Sequence, residues 1–191
     1  MKKIVLASGS PRRREILKNA GLIFDVHPSG YEEKLDDNVF TVKKIENLAY
    51  NKAAYTANEL SENVVVIGAD TVVVLDGKIL TKPSDRDEAY SMLKSLSGVE
   101  HYVVTGICVI DKYENKTKTD SVTTKVEFEN LSDEQINFYI DNYNPMDKAG
   151  AYGIQELPDG FVKNVVGSVE NVIGLSSKKV FEMLEIEYKG E

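Results

Sequence analysis

Residues 64–80 have the sequence VVVIGADTVVVLDGKIL, in which two runs of β-branched residues flank a short polar interruption. The density of valine and isoleucine predicts two strands, Val64–Ile67 and Thr71–Leu75, because branched side chains favour the pleated surface of a sheet. The pair Asp76-Gly77, which precedes Ile79-Leu80, is typical of a tight hairpin turn. A hairpin joins antiparallel strands, so the sheet is not expected to be purely parallel.

Helices and strands alternate on both sides of this stretch. A short strand over Ile4–Ala7 precedes a helix with Ser10 as its N-cap and Pro11 at its first position, and Gly21 ends that helix. The other predicted elements are a strand over Phe24–His27, a helix over Thr41–Leu60, a helix from the capping pattern Ser84–Asp87 to Leu96, strands over Tyr102–Ile110 and Ser121–Phe128 joined by a polar, lysine-rich loop, a helix from the capping box Ser132–Gln135 through Tyr143, a strand over Phe161–Val166 and a helix over Ser176–Leu184. The pattern predicts an α/β fold with mixed strand directions.

The composition excludes several classes of protein. The 191-residue chain has 23 Lys and Arg against 31 Asp and Glu, a formal net charge of −8, whereas nucleic-acid binding requires a basic face. No apolar run reaches the ~18 residues of a membrane helix, and the N-terminal apolar run is too short for a signal peptide. We therefore expect a cytoplasmic protein with no nucleic-acid or membrane partner. One cysteine, Cys108, and two histidines exclude an intrachain disulfide, a thiolate zinc cluster and a three-histidine metal site.

The segment LASGSPRRR at residues 6–14 places small residues between a strand and a helix. Free backbone N–H groups in such a segment can bind phosphate. Arg12 and Arg13 each precede a residue of the buried helical stripe by four positions, so both are expected on the inward face, and Arg14 on the outer face. Two interpretations remain open here: the arginines bind an anion, or they pair with carboxylates at the rim of the core.

Carboxylates occur at two places that suit metal or acid–base chemistry. Asp70 follows a valine-rich run, and an ionised carboxylate there requires cations or hydrogen-bond donors around it. This favours a general base or a metal ligand, and a turn aspartate that bonds its own backbone is an equal alternative. The acidic loop with Glu32, Glu33, Asp36 and Asp37 offers the oxygen donors that Mg²⁺ prefers, or is simply a solvated run of charges.

Three lysines and one glycine-rich segment complete the candidates. Lys52 lies on the long predicted helix, Lys82 precedes a proline, and Lys148 lies within DKAGAYGIQ at residues 147–155. The small residues of that segment leave room for a ligand against the backbone, or form a tight loop. Gly77-Lys78 is followed by Ile79, so the phosphate-binding P-loop is absent, as are GxGxxG and GxSxG.

Together these segments resemble the Maf family of nucleoside triphosphate pyrophosphatases, also described as septum formation inhibitors. The matching segments occur in order across nearly the whole chain: LASGSPRR (6–13), Lys52-Ala53, GADT (68–71), Lys82-Pro83, LSG (96–98) with His101, Tyr139-Ile140, DKAGAYGIQ (147–155) and NVIGL (171–175). The resemblance implies a single domain over residues 1–191. It also implies an elongated mixed sheet flanked by helices, with a central cleft between two lobes, and a homodimer.

The activity that the resemblance implies is hydrolysis of a nucleoside triphosphate between its α and β phosphorus atoms. It implies a divalent cation, Mg²⁺ or Mn²⁺, as cofactor. By the same resemblance Asp70 is the general base, and Glu33, Lys52 and Lys82 belong to the same catalytic cluster. Glu33 and Asp70 are the implied metal ligands.

Substrate-binding roles are implied for five residues: Ser8, Arg12, Arg13, Thr71 and Gln155. Arg12, Thr71 and Gln155 match the branch of the family that prefers dTTP and UTP over methylated guanine nucleotides. A glutamine amide can both donate to and accept from a uracil or thymine edge. The resemblance thus implies a house-cleaning hydrolase of pyrimidine triphosphates. The alternative is a regulatory protein that affects cell division through a partner or nucleic acid and binds nucleotide without turnover.

Overall fold

The computed structural model of the chain describes residues 2–32 and 37–188. Within these residues, seven strands form one sheet and six α-helices pack around it. The strands are β1 (Ile4–Leu6), β2 (Asp25–Val26), β3 (Val65–Leu75), β4 (Lys78–Leu80), β5 (Glu100–Asp111), β6 (Lys116–Phe128) and β7 (Val162–Val166). The helices are α1 (Pro11–Asn19), α2 (Val42–Glu59), α3 (Arg86–Leu96), α4 (Asp133–Asn142), α5 (Val169–Ile173) and α6 (Ser177–Leu184).

The sheet has the strand order β2-β1-β3-β5-β6-β7, and β4 pairs with β3 outside this path. Strand β1 runs parallel to β2 and β3, whereas β3, β5, β6 and β7 are successively antiparallel. Asp76 and Gly77 form the hairpin turn between β3 and β4, and both have positive φ, 49° and 73°. The predicted α/β fold with a mixed, helix-flanked sheet is therefore confirmed.

The central strand β3 runs without a break from Val65 to Leu75, so the prediction of two separate strands was wrong. In the interval between them, Gly68 pairs opposite Cys108 and Asp70 opposite Gly106 of the long antiparallel strand β5. This pairing keeps the polar interruption extended, because the partner strand supplies hydrogen bonds regardless of local propensity. The carboxylate-bearing residue consequently lies in the middle of a strand rather than at its end.

Helix α2 lies directly on the sheet because two glycines leave room for its backbone. A Cβ atom at Gly68 would lie 2.3 Å from the carbonyl oxygen of Ala49, and one at Gly106 would lie 2.5 Å from that of Ile45. A side chain at either position would force the helix away from the strands. The close approach brings Lys52, near the middle of α2, over strand β3.

Several element boundaries differ from the predictions. The N-cap of α3 is Asp85, whose side chain accepts a hydrogen bond from the backbone N–H of Glu88 at 2.8 Å. The predicted capping pattern began at Ser84, so it was one residue too early. The lysine-rich segment after residue 115 belongs to β6, because only residues 112–115 turn between β5 and β6. The side chains of this segment therefore alternate between the two faces of a strand, and they do not belong to a loop.

The predicted strand over Phe24–His27 is reduced to the two residues of β2, and the short helix α5 was not predicted. The capping box of α4 is confirmed, since Ser132 and Gln135 exchange hydrogen bonds with each other's backbone. Helix α6 begins as predicted, with the Ser176 side chain accepting from the backbone N–H of Lys179 at 3.3 Å.

Two apolar clusters hold the ends of the sheet. One joins α3, α4 and β6, and includes the fully buried Leu93, Ile136 and Phe128. The other joins α1 and α6 to β1, β3 and β5, and includes Leu17 and Phe181. Within residues 2–32 and 37–188, no helix combines the length and the apolar surface that crossing a bilayer requires.

Candidate active site

A cavity of about 500 Å³ opens beside the middle of β3. One side is the N-terminal wall, formed by Ser10, Arg12, Arg13, Lys52 and β3. Another side is the C-terminal wall, which belongs to the segment of residues 147–155. Among the described residues, five cationic side chains and two carboxylates line the cavity: Arg12, Arg13, Lys52, Lys82 and Lys148, with Asp70 and Asp147. The cavity is therefore locally cationic within an acidic chain, which suits a polyanionic ligand.

The first turn of α1 forms as the sequence predicts. The Ser10 hydroxyl accepts a hydrogen bond from the backbone N–H of Arg13 at 3.4 Å, and Pro11 occupies the first helical position. Arg12 and Arg13 both line the cavity, whereas Arg14 is exposed on the outer face, as expected from the helical spacing. The arginine-bearing helix start and Asp70 thus share one cavity.

Arg13 uses its guanidinium mainly to join parts of the protein. Its Nε donates to the carbonyl oxygen of Gly174 at 2.9 Å, and its Nη1 donates to that of Ala69 at 2.8 Å. Further bonds reach the hydroxyls of Thr71 at 3.0 Å and Ser8 at 3.3 Å. These contacts tie α1 to β3 and to the end of α5. Ser8 itself does not line the cavity, although it contacts this arginine, which does.

Asp70 and Lys52 form a charged pair at the cavity. The Lys52 ammonium donates a hydrogen bond to the Asp70 carboxylate, and their side chains are 13% and 8% exposed. A carboxylate so far removed from water remains ionised only where a cation or donors hold it. The pairing depends on the close packing of α2 on the sheet, and it provides a fixed, charged oxygen at the surface of the cavity.

Thr71 lines the cavity, but its hydroxyl is engaged within the protein. It lies 2.9 Å from the Thr105 hydroxyl and 3.0 Å from the Gly174 carbonyl oxygen, besides accepting from Arg13. Lys82 and Gln155, by contrast, are exposed at the cavity and form no side-chain hydrogen bond within the described part of the chain. Their polar ends are therefore open to a ligand.

The C-terminal wall carries a chain of charges. Lys148 is only 5% exposed and pairs with Asp147 at 2.8 Å and Glu156 at 3.0 Å. Asp147 also lies 3.4 Å from Arg12, which links the two walls. Burial alone would raise the pKa of Asp147, but the hydrogen bond and charge of Lys148, with the charge of Arg12, bring it below its usual value. Asp147 is therefore an ionised carboxylate that lies beside the cationic side chains of Lys148 and Arg12.

The acidic loop contributes little among the described residues. Glu33 and Asp36 lie outside the described residues, so the catalytic and metal roles expected of Glu33 stay predictions. Glu32 and Asp37 do not line the cavity, and Asp37 instead pairs with Lys44 at 2.5 Å.

Sequence reasoning missed Tyr31 and the apolar side of the cavity. The Tyr31 hydroxyl accepts a hydrogen bond from the Asn51 side chain at 3.0 Å, and Tyr31 lines the cavity. The one signal for Tyr31 in the sequence was its position directly before the acidic residues of the loop. Val73, Val103 and Val172 provide an apolar surface that no motif signals, because such residues look like ordinary core in the sequence.

Comparison with known proteins agrees with this geometry. Residues 3–187 match the family described as Maf-like protein. This chain belongs to the Maf-like family. A relative from Alkaliphilus oremlandii, named dTTP/UTP pyrophosphatase, is 49% identical over 175 residues, which are 92% of this chain and 91% of the relative. A relative of the same name from Thermoanaerobacter sp. is 46% identical over 97% of both chains.

A solved structure also resembles this Maf-like chain. The Staphylococcus aureus Ham1 protein superposes with a TM-score of 0.54 and 18% identity, covering 96% of this chain and 98% of its own. At that identity the likeness concerns the fold, and it agrees with a mixed sheet flanked by helices.

Oxygen donors for a divalent cation are present at the cavity of this Maf-like protein. Within residues 2–32 and 37–188 no three Asp, Glu, His or Cys side chains cluster as a complete metal site. Asp70 nevertheless presents a carboxylate at the cavity. Mg²⁺ is commonly held by one or two carboxylates together with substrate phosphates, and the donor set fits that mode of binding.

Proposed function

We propose that this Maf-like protein hydrolyses dTTP and UTP to the nucleoside monophosphate and pyrophosphate. The observation that carries the proposal is the gathering of cationic side chains around the Asp70–Lys52 pair in a chain of net charge −8. A triphosphate is strongly anionic, and local cations are what an acidic protein needs to bind it. The names of the relatives support the choice of substrate.

Phosphate binding is assigned to the cations that remain open toward the cavity. Lys82 is exposed, and within residues 2–32 and 37–188 the one charged partner of Arg12 is Asp147, which is itself partly exposed. Phosphate oxygens can take the place of that carboxylate on Arg12, because guanidinium binds phosphate and carboxylate in the same way. Arg13 serves the same site indirectly, through its bonds to β3 and Gly174.

In the proposed reaction Asp70 accepts a proton from a water molecule that attacks the α phosphorus. The bond from that phosphorus to the bridging oxygen breaks, and pyrophosphate leaves with the electron pair. Lys52 orients the carboxylate through its hydrogen bond. Arg12 and Lys82 offset the charge that develops on the leaving group. Glu33 is proposed to join this catalytic cluster.

We propose Mg²⁺ or Mn²⁺ as the cofactor, with Asp70 and Glu33 as the residues that would hold it. The cation, when bound, supplies Lewis acidity and charge neutralisation at the phosphates. Removing it with a chelator is expected to abolish turnover, and adding excess Mg²⁺ is expected to restore it.

Base recognition is assigned to the C-terminal wall. Gln155 is exposed at the cavity, and its amide can donate to and accept from the edge of uracil or thymine. Thr71 acts through its place beside Arg13 and Gly174. We further propose a cytoplasmic homodimer in which residues 1–191 form one domain whose two lobes flank the cavity.

The test is a nucleotide panel with the purified protein and Mg²⁺, in which released pyrophosphate is measured. We expect turnover of dTTP and UTP well above that of a methylated guanine triphosphate. Asp70→Asn, purified in the same way, is the control for contaminating phosphatases. Nucleotide binding without pyrophosphate release would overturn the proposal and favour the regulatory binding protein.

A further inference from the structure

The backbone of the C-terminal wall has a conformation that local sequence does not stabilise. Gly150 and Ala151 both have positive φ, 65° and 62°, and Ala151 is fully buried. Glycine adopts this region readily, whereas a residue with a side chain, such as Ala151, rarely does. Such a conformation persists only where the surrounding structure holds it.

Two hydrogen bonds from distant elements hold the residues that follow. The hydroxyl of Tyr152 lies 2.7 Å from Nε2 of His101 on β5, and the backbone N–H of Gly153 donates to the hydroxyl of Tyr139 on α4 at 3.1 Å. His101 is fully buried, and its ring and the Tyr152 ring both contact Phe128 edge-on, with centroids 5.0 and 4.9 Å away. Consecutive residues are thus attached to two different elements.

Both anchors keep one protonation state over the working pH range. Burial lowers the pKa of His101 to about 4, so the imidazole is neutral in ordinary buffers. Burial raises the pKa of Tyr139 to about 12, although the hydrogen bond from Gly153 acts in the opposite direction. A neutral imidazole and a neutral phenol give the wall fixed hydrogen-bond partners rather than a titratable switch.

The anchored residues directly adjoin the groups that face the ligand. A Cβ atom at Gly153 would lie 2.9 Å from Cε of Lys148 and 3.1 Å from Nε2 of Gln155. The backbone at Gly153 therefore packs against both side chains, and any displacement of that backbone moves them. His101 and Tyr139 do not themselves line the cavity.

We infer that His101 and Tyr139 are positioning residues that set the base preference of the cavity through Tyr152 and Gly153. They act on the substrate only through the C-terminal wall, by holding Gln155 in its place at the base. This inference rests on the proposed function, because it gives the same cavity its selectivity for a pyrimidine.

The experiment measures binding rather than turnover. Calorimetry gives the dissociation constants of the α,β-imido analogues of dTTP and dGTP for the wild type and for His101→Leu, His101→Gln and Tyr139→Phe. Leucine fills space without a polar group, glutamine keeps a polar group, and phenylalanine removes only a hydroxyl. Matched controls are His27→Gln at a half-buried histidine far from the wall and Tyr143→Phe beside Tyr139.

We expect the preference for the dTTP analogue to fall roughly tenfold in His101→Leu and Tyr139→Phe, the size of one lost buried hydrogen bond. His101→Gln is expected to stay within about threefold of the wild type, and both controls to be unchanged. A lower melting temperature with an unchanged preference would overturn the inference and leave a purely structural role. An equal loss in His101→Gln would overturn it as well.

The result separates this inference from the proposed function. A wild type that binds the dTTP analogue selectively but releases no pyrophosphate from dTTP would overturn the proposed hydrolysis and leave the positioning role standing. A wild type that binds the two analogues equally would overturn the positioning role, whatever its turnover. If His101→Leu does not fold, Tyr139→Phe decides the question, since it deletes a single oxygen.

Discussion

The two walls of the cavity are built in different ways. The N-terminal wall carries its charged groups on regular elements: Arg12 on the first turn of α1, Lys52 in the middle of α2 and Asp70 in the middle of β3. The C-terminal wall consists of short 3₁₀ turns and contains residues with positive φ. The first wall is rigid because its backbone belongs to hydrogen-bonded ladders, whereas the second depends on contacts from elsewhere.

This difference suggests a division of labour. The groups that we propose act at the phosphorus atom lie on helices and a strand, which hold positions closely. The groups that we propose select the base lie on an irregular segment, which is held by hydrogen bonds to Thr81, His101 and Tyr139. Substitutions in the first wall should therefore change chemistry, and substitutions in the second should change stability and selectivity.

The largest effect is expected from Asp70→Asn in the N-terminal wall. The fold should remain, because asparagine has the same shape, while kcat falls roughly 10²-fold or more with loss of the proposed general base. Steady-state pyrophosphate release measures the effect. Asp76→Asn is the matched control on the hairpin next to β3, where asparagine also tolerates the positive φ of 49°. Full turnover by Asp70→Asn would remove this residue from the mechanism.

Gly150→Ala tests the C-terminal wall. Its φ is 65°, and a Cβ atom there would lie 2.9 Å from the Val73 side chain, so strain and overpacking together should cost about 2 kcal/mol of unfolding free energy. Urea denaturation measures the loss. Gly160→Ala is the control, since its φ is 83° but no atom would lie within 4 Å of the new Cβ, and only about 1 kcal/mol is expected there. Equal losses in the two variants would contradict a tightly packed wall.

The anchoring histidine predicts a pH dependence of stability. Folding lowers the pKa of His101 to about 4 by burial, whereas the unfolded chain titrates near 6.5. The unfolded state therefore binds more protons between these values, and this group makes stability fall as pH decreases through that window. Between pH 7 and pH 5 the wild type should lose about 2 kcal/mol of unfolding free energy through this group. His101→Gln has no imidazole at this position, so it should not show that loss. Urea denaturation of both proteins at the two pH values measures the effect. Equal losses in the wild type and in His101→Gln would contradict this prediction.

The smallest effect concerns the contact between the walls. Asp147→Asn removes a carboxylate beside Arg12 and Lys148, so the KM for dTTP should fall about twofold, and unfolding free energy should change by less than about 1 kcal/mol. The change in KM should shrink at high salt because the charges are partly exposed. Asp141→Asn, which breaks a surface pair with Arg86, is the control. A higher KM in Asp147→Asn would mean that its carboxylate assists binding.

Much of the N-terminal wall could be predicted from the sequence. Ser10-Pro11 marks a helix start by simple rules of capping, and the spacing to Ile16 and Leu17 places Arg12 and Arg13 on the inward face. The same rules could not show that Arg13 donates to two carbonyl oxygens and two hydroxyls of the protein. Those partners lie on β3, before α1 and at the end of α5, and only the folded chain brings them together.

The sequence by itself determined the α/β class, the mixed sheet and the presence of cations and a carboxylate in ordered motifs, since these follow from periodicity, turn chemistry and residue type. Tertiary structure alone decided that Asp70 lies within a strand, that α2 rests on Gly68 and Gly106, and that His101 meets Tyr152. Each of these depends on contacts between residues far apart in the chain. Local propensity is weak beside such contacts, because strand pairing and close packing override it.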